Sequence, residues 1–126
     1  MRLTNKKMDE YFTALSNMSE KATGRLGYAI ARNLRKLSEE LVEYQALKDK
    51  AINKYGEVGD DGVARIRIDP DSEAFKSFTE DMKEYMDIEH DVQVFTVSED
   101  EVINSPLNAK EMLSIDFMII KEVHNE

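Results

Sequence analysis

The chain has 126 residues, 41% of them hydrophobic, which suits one domain with a modest core. It has no cysteine, excluding disulfides, thiolate zinc sites and cysteine nucleophiles, and no apolar run of about 18 residues to span a membrane. The net charge of −9 is unevenly divided: residues 1–55 hold 11 Lys and Arg against 7 Asp and Glu, and residues 56–126 hold 6 against 19. Such a division serves either internal pairing of the two halves or a charged docking face. The first seven residues are charged without an apolar core, so no signal peptide is expected and the reading is intracellular.

Thr4 is placed to cap a first helix over residues 5–18, with Met8, Phe12, Leu15 and Met18 on one face. A polar link leads into the stretch that dominates the sequence, a helix expected over 27–55. There Ile30, Leu37, Tyr44 and Ala51 form one heptad register, and Leu34, Leu41, Lys48 and Tyr55 the other. At 1.5 Å per residue it would be about 43 Å long, with Gly56 as its left-handed C-cap. The short link favours an antiparallel hairpin with the first helix. The distal seam, Tyr44, Leu47, Ala51, Ile52 and Tyr55, then has too little chain to cover it and is the expected oligomer or partner contact.

Lys21, Arg25, Arg32, Arg35 and Lys36 lie in a stretch without one acid from 21 to 38. Cations early in a helix oppose its dipole, so local stability does not explain them. Arg25, Arg32 and Lys36, at seven- and four-residue steps, are the candidate anion site, set against simple pairing with the acidic half. The glycines nearby do not have phosphate-loop spacing.

Residues 57–62 read as a Gly/Asp turn without the ligand spacing of a calcium loop. Residues 63–68 read as a strand with Ala64, Ile66 and Ile68 inward. Asp69-Pro70-Asp71-Ser72 opens a helix to about Asp87, striped by Phe75, Phe78, Met82, Tyr85 and Met86. Residues 88–97 alternate as a ten-residue strand holding His90 among acids; with His124 it makes no metal pattern. Ser98 with Glu101 and Asn108 with Glu111 are capping boxes for two further helices. Residues 109–120 also alternate like a strand, but the helical reading is favoured.

No triad, dinucleotide fingerprint or metal motif is present, so no enzyme activity and no cofactor are expected. The overall acidity argues against direct nucleic-acid binding. The expected fold is α+β: an N-terminal helical hairpin (1–56) with a long heptad-patterned second helix, plus a small antiparallel sheet and one or two packed helices in an acidic half (57–126), all one domain.

Leu3-Thr4-Asn5, the run Tyr28-Ala29-Ile30-Ala31-Arg32-Asn33-Leu34-Arg35-Lys36-Leu37, Glu40 with Tyr44, Lys54-Tyr55-Gly56-Glu57, the acidic Gly62 turn and Phe117-Met118 together carry a resemblance. With them the chain resembles a family of small, functionally uncharacterised phage and prophage proteins of Gram-positive bacteria. Thr23-Gly24-Arg25-Leu26-Gly27 departs from the Leu-Pro helix start of that pattern. The resemblance implies a phage accessory protein of the host cytoplasm and carries over no catalytic residue. The expected function is therefore protein–protein binding, with inhibition of a host defence nuclease complex as the role an acidic surface suits. Asp60, Asp61, Asp81, Glu84, Glu89 and Asp91 would offer carboxylates to the Arg and Lys groups that such a partner presents to phosphates. Sequestration of a small phosphate-bearing ligand by the basic helix start, and virion scaffolding through a coiled coil, are the alternatives.

Overall fold

Thr4 does what its position predicts: its side chain accepts from the Lys7 N–H and starts α1, Asn5–Met18. The structure, a computed structural model, describes residues 1–120, so His124 lies outside the described residues. Just before α1, Arg2–Thr4 form a short strand, β1. A three-residue strand is too short to leave a periodic signature, and none was expected here.

The helix expected over 27–55 is two helices, α2 (Gly24–Glu40) and α3 (Val42–Tyr55), meeting at Leu41. Leu41 has ψ −2°, where a straight helix needs about −42°. Its N–H still bonds Leu37 O and its carbonyl still accepts from Gln45 N–H, so the chain turns without unwinding. The heptad register itself is real: Ile30, Leu37, Tyr44 and Ala51 are all buried, as is Leu41. It is spent inside the chain. α1 packs on α2, and α4 (Glu73–Met86), capped by the Ser72 hydroxyl, packs along α3.

Gly56 ends α3 in an extended conformation, φ −80° and ψ 166°, rather than the left-handed one expected. Glycine is needed there for a close approach: a Cβ would meet Arg65 O at 2.8 Å and Ile52 O at 2.6 Å. The neighbour is a hairpin of β2 (Glu57–Val58) and β3 (Ala64–Arg65), antiparallel, turned at Gly62 with φ +78°. The six-residue strand expected at 63–68 thus shrinks to two. Of the expected inward face Ala64 and Ile66 are half-buried, while Ile68, beyond the strand, is 83% exposed.

The ten-residue strand expected at 88–97 divides as well. Its first part, β4 (Glu89–Asp91), pairs antiparallel with β1, and its last, β5 (Val97–Ser98), pairs parallel with β6 (Ile119–Ile120). Val92 still exchanges backbone bonds with Met1, and beyond it Gln93 and Phe95 are held to α2 by side chains instead of a ladder. Buried Asn33 donates to Phe95 O at 2.9 Å and accepts from Phe95 N at 2.8 Å, and Lys36 Nζ bonds the Gln93 carbonyl. Among the described residues the small sheet is therefore three two-stranded ladders, two antiparallel and one parallel.

Ser98 caps α5 (Glu99–Ile103), and Asn108 and Glu111 form the capping box of α6 (Ala109–Ser114). The helix expected to run to residue 120 ends at Ser114 and gives way to a 3₁₀ turn, Asp116–Met118, and then β6. Ile115 and Met118 are fully buried, and Phe117 stacks on Tyr11 at 3.8 Å, which fixes this segment against α1. The α+β architecture with its N-terminal helical hairpin is as expected. Among the described residues no helix is long and apolar enough to cross a membrane.

Candidate functional site

The C-terminal segment builds a feature that the sequence did not announce. α5, α6 and β6, the last tied to β5 just before α5, line a common space. The result is an open groove of about 500 Å³ lined by Val102, Ile103, Met112, Leu113 and Ile119, with Glu99 and Asp116 at its rim. Val102 is buried and forms the floor, while Ile103 is 66% and Leu113 77% exposed at the edges. Ile68, Val58 and Val42 are exposed as well, but Ile103 and Leu113 differ from them in lining one apolar trough together. Glu99, Asp100 and Glu101 surround the start of α5, where carboxylates complement the N-terminal dipole.

The six carboxylates expected to form one acidic surface lie on three elements: Asp60 and Asp61 at the β2–β3 turn, Asp81 and Glu84 on α4, Glu89 and Asp91 on β4. Five of them meet a neighbour from the same chain. Asp61 pairs with Arg65 at 2.6 Å, Asp81 with Lys54 at 3.7 Å, and Arg2 takes both Glu89 at 2.8 Å and Asp91 at 3.5 Å. Glu84 sits against the Tyr85 hydroxyl and pushes that phenol above its ordinary value. Arg65, with the Val63 N–H, holds the Asp61 carboxyl below the usual range. Local matching of this kind divides the acidic excess into separate small networks. The partners are Arg2, Lys54 and Arg65 rather than the basic start of α2.

Asp81 and Glu84 do share a cleft with part of the expected oligomer contact. Leu47 and Ala51 of α3 line it with them, and Lys50, Lys54 and Lys83 stand alongside, which makes its charge mixed. The expectation that the distal seam would lie bare needs correcting. α4 covers it, leaving Tyr44 and Ala51 buried, Ile52 and Tyr55 half-buried, and Leu47 at the edge, 36% exposed. Burial, with Asp9 nearby, pushes the Tyr44 phenol up.

The three candidate anion ligands do not act together. Lys36 is half-buried and engaged by the Gln93 carbonyl, and Arg25 points toward Glu101 at 3.9 Å. Arg32 is exposed and has no ion pair among the described residues. The exposed cations that do share its face are Arg25 and Arg35, with Tyr28 between them. His90 is half-buried with Nδ1 3.0 Å from Glu40 Oε2. Among the described residues no three His, Cys, Asp or Glu side chains converge as a metal site.

Groove residues Met112 and Ile119 were visible as apolar positions; what went unseen was that Ile103 and Leu113 would be left over. The signal was the double periodicity of 109–120. A stretch that satisfies both the helical and the strand period holds more apolar side chains than one buried face can take. Comparison of the chain with protein-family models, with curated proteins and with solved structures finds no match.

Proposed function

We propose that this is a non-enzymatic phage accessory protein that binds another protein through the α5–α6 groove, in the host cytoplasm. The observation that supports it is the pairing of Ile103 and Leu113, both mostly exposed, across an apolar trough with an acidic rim. Exposed aliphatic side chains around a concave apolar floor suit an amphipathic helix laid into the groove. The carboxylate of Glu99, with Asp100 nearby, suits a Lys or Arg flanking the apolar anchors of that helix. Such basic flanks belong to nucleic-acid-binding proteins, which keeps inhibition of a host defence nuclease complex as the biological reading. The docking site moves from the six carboxylates, five of them already engaged within the chain, to the groove. Scaffolding through a coiled coil has less support, because the heptad register is consumed by α1 and α4.

The test places a photocrosslinking residue at Leu113 and, as a control, at exposed Glu43 on α3, in host cells producing the protein. A single partner captured from position 113, not from position 43, and lost when Ile103→Asp is added, supports the groove. Equal capture from both positions, or capture indifferent to Ile103→Asp, refutes it. Both groove side chains are exposed, so these changes leave the thermal midpoint nearly unmoved.

A further inference from the structure

The solvent face of α2 carries a second surface, of opposite character. Arg25, Tyr28, Arg32 and Arg35 follow one another at three-, four- and three-residue steps, and all four are exposed. At 3.6 residues per turn they fall within roughly 80° of arc, on a stripe about 15 Å long. The face opposite is the core face, with Leu26, Ile30 and Leu37 buried. Packing therefore does not account for the stripe.

Neither does charge matching. Lys21 pairs with Glu111, and Arg2, Lys54 and Arg65 with carboxylates of their own, yet among the described residues Arg32 and Arg35 have no ion pair. Arg25 has only the loose contact to Glu101 at 3.9 Å. Tyr28 stands between the arginines with 56% of its surface exposed, its ring edge-on to Phe95 at 5.4 Å and 74°. Phe95 is in turn fixed by its two backbone bonds to Asn33. An exposed aromatic ring braced from behind and flanked by free guanidinium groups is an arrangement that stacks bases and neutralises phosphates.

We infer that the Arg25–Tyr28–Arg32–Arg35 stripe of α2 binds a short segment of single-stranded nucleic acid, a base stacking on Tyr28 and backbone phosphates meeting the arginines. The stripe is a flat helix face, which suits an extended polymer better than a mononucleotide. Its charge is local. At physiological salt, screening beyond about 8 Å limits the opposition from the acidic half of the chain. The aromatic member favours nucleic acid over an acidic peptide, whose carboxylates call for the arginines but not for a ring to stack on.

The test is fluorescence anisotropy with a labelled oligothymidylate, in salt steps upward from low ionic strength. Three phosphate contacts predict that log Kobs falls with log salt at a slope of about −2. Arg32→Gln and Arg35→Gln each lower the slope magnitude by about 0.7. Tyr28→Ala weakens binding roughly tenfold and Tyr28→Phe restores it, since stacking needs the ring and not the hydroxyl. Circular dichroism shows all four variants folded, because the side chains are exposed. Absence of binding at low salt overturns the assignment. So does binding that ignores Tyr28→Ala, or that polyglutamate displaces as readily as unlabelled oligonucleotide, which would make the stripe a contact for an acidic protein.

Discussion

Replacing Asn33 by leucine keeps the branching of a buried helical side chain but exchanges its polar end for bulkier methyls, so it removes the bonds that hold this fold to its surfaces and crowds the Phe95 backbone. Asn33 is 2% exposed and acts as a substitute strand partner, donating to Phe95 O and accepting from Phe95 N. Its amide nitrogen also lies 3.6 Å from Met118 Sδ. Loss of two hydrogen bonds, with the Phe95 backbone groups left short of partners, costs about 2–4 kcal/mol. With a urea m-value of roughly 2 kcal/mol/M, the unfolding midpoint falls by about 1–2 M. Asn33→Asp retains one acceptor but buries a charge against the Phe95 carbonyl, so it destabilises as well. Its deficit narrows as the pH falls from 7 toward about 4, because a buried carboxyl binds its proton more tightly in the folded chain. Equilibrium urea denaturation followed by circular dichroism reads all three proteins. A leucine variant that loses under about 0.5 kcal/mol with an unchanged m-value would refute the role given to Asn33.

Asn108→Ala removes the reciprocal cap of α6 and costs about 0.5–2 kcal/mol in the same assay, with partner capture through the groove reduced in parallel. Met82→Ala, at a side chain 1% exposed on α4, costs about 2–5 kcal/mol, and no destabilisation would mean that α4 does not seal α3. Sedimentation velocity at high micromolar concentration gives a monomer, since α4 already occupies the seam, and a dimer abolished by Leu47→Glu would contradict that. The Asp61 carboxyl is held down by Arg65 and the Val63 N–H, so its folded value lies below the ordinary 3.8. Its support for the β2–β3 turn is therefore complete above about pH 3.8 and is lost as the pH falls through the folded value. The Val63 amide resonance should shift only below about pH 3.8, and Asp61→Asn should remove that shift.

Helix starts were legible because they are decided within four residues: Thr4, Ser72, Ser98 and Asn108 each cap the helix that their neighbours predicted. The heptad register was legible too, down to the burial of Ile30, Leu37, Tyr44 and Ala51. What it packs against was not. The break at Leu41 has no local sign, since residues 38–44 contain no proline or glycine to give it away. The short strands escaped because two- and three-residue ladders, such as Arg2–Thr4 on Glu89–Asp91, are set by tertiary pairing and not by alternation. Charge was legible as a total and misleading as a surface. Pairings such as Arg2 with Glu89, 87 residues apart, are invisible in a linear count.

Docking at the groove is tested most directly by titrating the protein with a synthetic amphipathic helical peptide, leucines on one face and lysines on the other, and following methyl resonances. Groove binding predicts saturable shifts at Ile103, Leu113 and Ile119. The equally exposed methyls of Val42 and Val58, on α3 and β2, stay unmoved. The shifts should vanish in Ile103→Asp/Leu113→Asp. Shifts spread evenly over all exposed methyls, or none at Ile103 and Leu113, would contradict the assignment of the groove as the binding site.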